Sequence, residues 1–153
     1  ALERGAIAGF ALHDLRVTVY DGKHHPVDSK EIAFVEAGKR ACFDAFAKAA
    51  PAVLEPLVKL EITVPASSQG DVAGDLATRR GRILGNESLG GHRVTIQALA
   101  PLAELTDYAM RLKALTGGEG TYALEYSHYD PVPPRKQQEL AGAWQGRAAA
   151  GGE

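Results

Sequence analysis

The chain carries a single cysteine, Cys42, among its 153 residues, so no internal disulfide can form and no zinc-ligand spacing is present. Excess positive charge is missing too. The 17 Lys and Arg against 19 Asp and Glu give a formal charge of −2, which argues against a protein that grips nucleic acid by bulk charge and leaves room only for local contacts. No apolar run approaches the roughly 20 residues of a membrane-spanning helix, and no basic, then apolar, then small-residue leader opens the chain. Together these absences predict a cytoplasmic protein with no membrane partner. There is no G-x-x-x-x-G-K-[ST] and no G-x-G-x-x-G, so this chain holds no nucleotide-phosphate cradle of its own.

What is present is the composition of a globular protein, 45% apolar, long enough for one ordinary domain or two small ones. The opening Ala1-Leu2-Glu3-Arg4-Gly5 has no methionine and reads as the last turn of a helix closed by glycine. It suggests the C-terminal piece of a longer protein. In residues 12–20, Leu15, Val17 and Val19 alternate with Arg16, Thr18 and Tyr20, the period of a half-buried strand. Asp28, three residues before Glu31, predicts a capped helix start, and Ile32, Val35, Cys42, Phe46 and Ala49 recur at helical spacing until Pro51 stops the run. One strand and one long helix make an incomplete unit, assigned to residues 1–52.

The pattern restarts in residues 53–130. Val58, Leu60, Ile62 and Val64 alternate as a strand, and residues 69–80 suit a short helix burying Val72 and Leu76. Residues 82–85 and 92–100 read as strands joined by a glycine-rich loop at 86–91. Pro101 reads as a first helical residue, Leu102, Leu105, Ala109, Leu112 and Leu115 mark one helical face, and Tyr122, Leu124 and Tyr126 form a last strand. The order βαββαβ predicts an α+β fold: a ferredoxin-like antiparallel sheet with both helices on one face. Residues 131–153 form a tail, broken by Pro131-Val132-Pro133-Pro134, with a short surface helix at 137–144.

Two cationic clusters carry what chemistry the sequence offers. Lys23, His24, His25 and Lys30 flank a helix N-terminus, whose dipole and free amides favour anions. Adjacent histidines in a turn do not converge on one ion, and Asp28 is already engaged as a cap, so neither a metal site nor a His25, Asp28 and Ser29 triad is favoured. Solvated loop histidines and a contact tip remain. Arg79, Arg80 and Arg82 surround the end of the second helix; they either complement its dipole in water or contact RNA or a phosphoprotein. Cys42 reads as a small filler of a helix face. Tyr122, Tyr126 and Tyr129 lack the glycine-aromatic signature of an RNA-stacking sheet and read as packing residues. No catalytic or metal-binding residue is assigned.

AGFALHDLRVTVYDG at residues 8–22, HPVDS at 25–29, VLEP at 53–56, GDVAGDLATRRGRILG at 70–85 and PLAELTDYA at 101–109 resemble the C-terminal part of bacterial elongation factor G. The resemblance implies that residues 1–52 are the second half of the family's fourth domain, an α/β unit like a small-subunit ribosomal protein. Residues 53–130 would be its ferredoxin-like fifth domain. It further implies that the loop with Lys23, His24, His25 and Lys30 is a tip reaching the decoding site, with His25 at the family's tip histidine, touching tRNA, mRNA or rRNA. Arg79 and Arg80 match the family's paired arginines, and Arg82 stands with them toward rRNA or the stalk base. The ribosome and the upstream domains of the parent chain are the implied partners. GTP and Mg would belong to the parent, with no cofactor in this piece, which is not itself an enzyme. Lys23-His24-His25-Pro26 departs from the family's Ser-Tyr-His-Asp or Ser-Tyr-His-Glu, and Glu119 replaces Arg in the T-x-G-R-G loop, which points to a ribosome-recycling or ribosome-protection paralogue as the nearest alternative. A free-standing ferredoxin-like binding module is the other.

Overall fold

The computed structural model describes residues 5, 7–26 and 30–150. The chain divides into two compact units, one made of Ala1–Val53 with Val132–Glu153 and the other of Leu54–Pro131.

In the second unit the elements run β1 (Leu54–Pro65), α2 (Gln69–Thr78), β2 (Arg82–Gly90), β3 (Arg93–Pro101), α3 (Tyr108–Leu115) and β4 (Thr121–Pro131). The strands form one antiparallel sheet in the order β2-β3-β1-β4. This is the ferredoxin-like α+β plan. Alternation decides which face is buried: Val58, Leu60, Ile62 and Val64 of β1 and Val94, Ile96, Ala98 and Ala100 of β3 share one core with Val72 and Leu76 of α2 and Tyr108 and Leu112 of α3. Side chains of period two on the strands thus meet helices on a single side. Ile62, Val64, Val72, Leu76 and Tyr108 are fully enclosed.

Two expectations for this unit need correction. The glycine-rich stretch read as a loop at 86–91 is mostly strand, because β2 runs on to Gly90 beside β3, with irregular pairing at Ile83/Gly85 and Ser88/Gly90. An edge strand has only one neighbour to satisfy, so bulges can absorb its glycines. Pro101 does not open a helix. It ends β3, a 3-10 turn follows at Leu102–Leu105, and α3 begins only at Tyr108.

The first unit contains α1 (Glu31–Lys48) and α4 (Pro134–Ala150). Helix α1 starts behind Lys30 without a side-chain cap; the predicted cap at Asp28 lies outside the described residues, as does the helical turn expected at 1–4. Residues 12–20 do not form the expected strand. No strand pairs with them among the described residues, and without a ladder the intended inner face is open, Val19 being 85% exposed. For the same reason the apolar stripe of α1 is largely uncovered: Ile32 is 68% exposed, Phe46 is buried and Cys42 is half-buried. The helix expected at 137–144 is longer, and the proline treated as a breaker occupies its first position, where a missing N–H costs nothing. The segment from Val132, assigned above as a tail, packs with the first unit: Val132 joins Ala8 and Val53, with Leu140 against them, and Gln137 Oε1 accepts the Val53 amide at 2.9 Å.

Candidate functional site

The first cluster lies on an exposed stretch without regular secondary structure. Asp21 Oδ1 accepts the Gly22 amide at 2.8 Å, and Lys23, His24 and His25 follow, all exposed. Lys30, also exposed, is the N-cap of α1. The residues between, 27–29, lie outside the description. Backbone with no ladder and cationic side chains in water can present positive charge to an anion without prior desolvation.

The second cluster is differently built. Arg79 is the C-cap of α2, and Arg80 follows with φ of 59°, the left-handed region. Gly81 then donates its amide to Leu76 O at 2.7 Å, and a Cβ at Gly81 would come within 2.7 Å of that same oxygen. A helix end closed by a left-handed residue and a glycine returns the chain into β2. Neither arginine head projects freely. Arg79 donates Nε to Asp75 Oδ2 at 2.8 Å and Nη1 to Asp107 Oδ1 and to the Glu104 carbonyl, both at 2.6 Å, while its guanidinium carbon lies 5.5 Å from the centre of the Tyr108 ring. Arg80 makes a two-pronged pair with Glu55, both contacts at 2.7 Å, and donates to Glu104 Oε1. Arg111 Nε completes the group on Asp75 Oδ1 at 2.8 Å.

The charges answer one another. Hydrogen bonds donated to Asp107 hold the Arg79 guanidinium above its ordinary range, and those donated to Glu55 do the same for Arg80. Burial pushes the Asp75 carboxyl up, but hydrogen bonds from Arg111 and Arg79 outweigh it and leave the group below the usual carboxylate range. Tyr108 is pushed up by burial, and its hydroxyl has no hydrogen-bond partner among the described residues.

Sequence reasoning named the arginines and missed the acids. Asp75 was legible, since it stands four residues before Arg79 on one helix face. Glu55, Glu104 and Asp107 lie 24 to 28 residues from the arginines they bind and left no local signal. Arg82, the first residue of β2, is exposed and belongs to none of these pairs. The tyrosines of β4 do not form a stacking platform on the open sheet face: Tyr122 and Tyr126 pair with Ile62 and Val58, so they lie on the helix side. Among the described residues no three His, Cys, Asp or Glu gather as a metal site, and no helix is long and apolar enough to cross a membrane.

A βαββαβ sheet with both helices on one face, in a chain whose other unit holds two long helices, makes this an α+β protein with a ferredoxin-like second unit. Residues 1–50 match the family model described as elongation factor G, domain IV, and residues 52–140 match the elongation factor G C-terminus, so the chain belongs to the elongation factor G family. A crystal structure of a protein from Thermus thermophilus is similar over 94% of this chain, at 41% identity and a TM-score of 0.75. The match covers 22% of that protein, so this chain spans about a fifth of its length.

Proposed function

We propose that this chain is the ribosome-contacting C-terminal region of a translational GTPase. The region at residues 1–52 acts as an arm that enters the small-subunit acceptor site and promotes movement of tRNA and mRNA. Its action is mechanical: it supplies no catalytic group, and GTP hydrolysis with Mg belongs to other domains of the parent. The contact set is Lys23, His24, His25 and Lys30 toward tRNA, mRNA or rRNA, with Arg82 toward rRNA or stalk-base proteins, in the cytoplasm.

The observation that carries this reading is the match of the two halves to domain IV and the C-terminus of one translation-factor family. Exposure of Lys23, His24 and Lys30 on one stretch of the arm supports it. The altered tip, with Lys23-His24-His25-Pro26, favours ribosome recycling or protection as the second reading. Sedimentation of the full-length protein with ribosomes across a salt series is the test: binding should weaken steeply with salt and weaken further in a Lys23→Glu, Lys30→Glu variant. Salt-independent failure to bind would defeat both readings. Translocation and subunit-splitting assays on the same material separate the first from the second.

A further inference from the structure

The paired arginines after α2 stand in a motif that reads as a phosphate contact, yet their heads face inward onto four carboxylates. Arg79 is only 13% exposed and its partner Asp75 8%; Arg80 is 32% exposed and Glu55 12%. With Arg111 they contribute three positive charges against the four negative ones of Asp75, Asp107, Glu104 and Glu55. Such a set presents no positive field to a polyanion. A phosphate approaching Arg80 would first have to displace Glu55, and to dislodge Arg79 it would break bonds to Asp75, Asp107 and the Glu104 carbonyl.

The backbone shows what the set accomplishes. Arg80 holds a left-handed conformation unfavourable for a residue with a Cβ, and Gly81 has no room for one. The turn is kept in this shape by the two-pronged grip on Glu55 of β1 and by Glu104 in the 3-10 turn. Arg82 lies two residues further on. It pairs with Leu99, which in turn pairs with Lys59, so it stands in the row of residues on the sheet face away from the helix core.

We infer that Arg79 and Arg80 are positioning residues that lock the turn from α2 into β2, and that Arg82 is the cation this turn delivers to a phosphate of ribosomal RNA. This rests on the ribosome-binding reading above. A contact residue and a positioning residue differ in salt dependence. Removing one phosphate contact lowers the slope of log affinity against log salt by about 0.7 to 0.9, whereas misplacing a turn weakens affinity by another route.

The experiment uses the full-length protein in three variants: Arg80→Met, Arg82→Met, and Arg80→Met combined with Glu55→Gln and Glu104→Gln. The last removes the carboxylates that Arg80→Met strands. Melting is followed by tyrosine near-ultraviolet dichroism and ribosome affinity across a salt series. Arg80→Met is expected to lower Tm and affinity with the slope unchanged, the triple variant to regain the part of Tm that the stranded carboxylates cost while its affinity stays low at an unchanged slope, and Arg82→Met to keep Tm while losing about one contact's worth of slope. If Arg80→Met loses about one contact's worth of slope, Arg80 touches RNA and the inference falls; full recovery of Tm and affinity in the triple variant would show that the turn needs no lock and would overturn it equally. An unchanged slope in Arg82→Met overturns the role given to Arg82. Should the unmodified protein show no salt-dependent binding, the ribosome reading fails along with the role of Arg82, and the melting series still decides whether Arg80 holds the turn.

Discussion

Replacing Asp75 by Asn tests the charge network at its most enclosed point. The carboxylate is 8% exposed and accepts one hydrogen bond from Arg79 and one from Arg111, each at 2.8 Å. Bonds to a charged group contribute about 1.5–3 kcal/mol each when enclosed. Arg111 is 51% exposed, and solvent screening brings its share nearer to about 0.5–1 kcal/mol. Asn keeps one acceptor oxygen but no charge, so the loss at pH 7 should be about 2–3 kcal/mol. Urea unfolding is the assay, with tyrosine dichroism as the signal, because four of the five tyrosines lie in the second unit and Trp144 lies in the first. The pH dependence has a fixed sign. Asp75 titrates below its ordinary value of 3.8 when folded, so its contribution is full above that value and disappears as pH falls through the lower folded value. The gap between parent and variant should therefore close in strong acid. A loss under about 0.5 kcal/mol at neutral pH would mean that the network is a solvated surface cluster, and a gap that stays constant into acid would refute the linkage argument.

Three further substitutions probe the same unit. Tyr108→Phe removes a buried hydroxyl that has no partner among the described residues, so Tm should hold or rise, by up to about 1 kcal/mol of stability; a clear loss would reveal a hydrogen bond unaccounted for. Gly81→Ala places a Cβ 2.7 Å from Leu76 O and should cost about 1–3 kcal/mol in urea unfolding, while a neutral result would show that the turn can yield. Ile62→Ala empties a site of 0% exposure at the centre of the sheet and should cost about 2–5 kcal/mol, with a value below about 1 pointing to a loosely packed core.

The second unit was legible because its strands alternate and its helices follow turn residues, so local pattern and global fold agree. Val58 to Val64 show it most clearly: every second side chain is buried. Legibility failed where structure depends on a distant partner. Residues 12–20 have the period of a strand, but a strand exists only beside another, and none pairs with them among the described residues. Asn86 to Gly90 look like a loop by composition, yet β3 recruits them into an edge strand. Arg79 and Arg80 were singled out as cations at a helix end, and a helix end reads alike whether its charges face water or acids brought from β1 and the turn after β3. The exposed stretch was readable from composition: Lys23, His24 and His25 are exposed, as a turn composition suggests.

The arm's contact with the small subunit is the central claim, and a tethered cleavage probe reads it directly. In the full-length protein, with Cys42 and every cysteine of the other domains replaced by Ser to clear the background and His24→Cys to carry an iron chelate, hydroxyl radicals cut RNA near the tip. Bound to ribosomes, the probe should cleave small-subunit RNA around the acceptor site, and the cuts should fade when Lys23→Glu and Lys30→Glu are added. Cleavage confined to the large subunit, or none above an untethered control while the protein remains bound, would contradict the account.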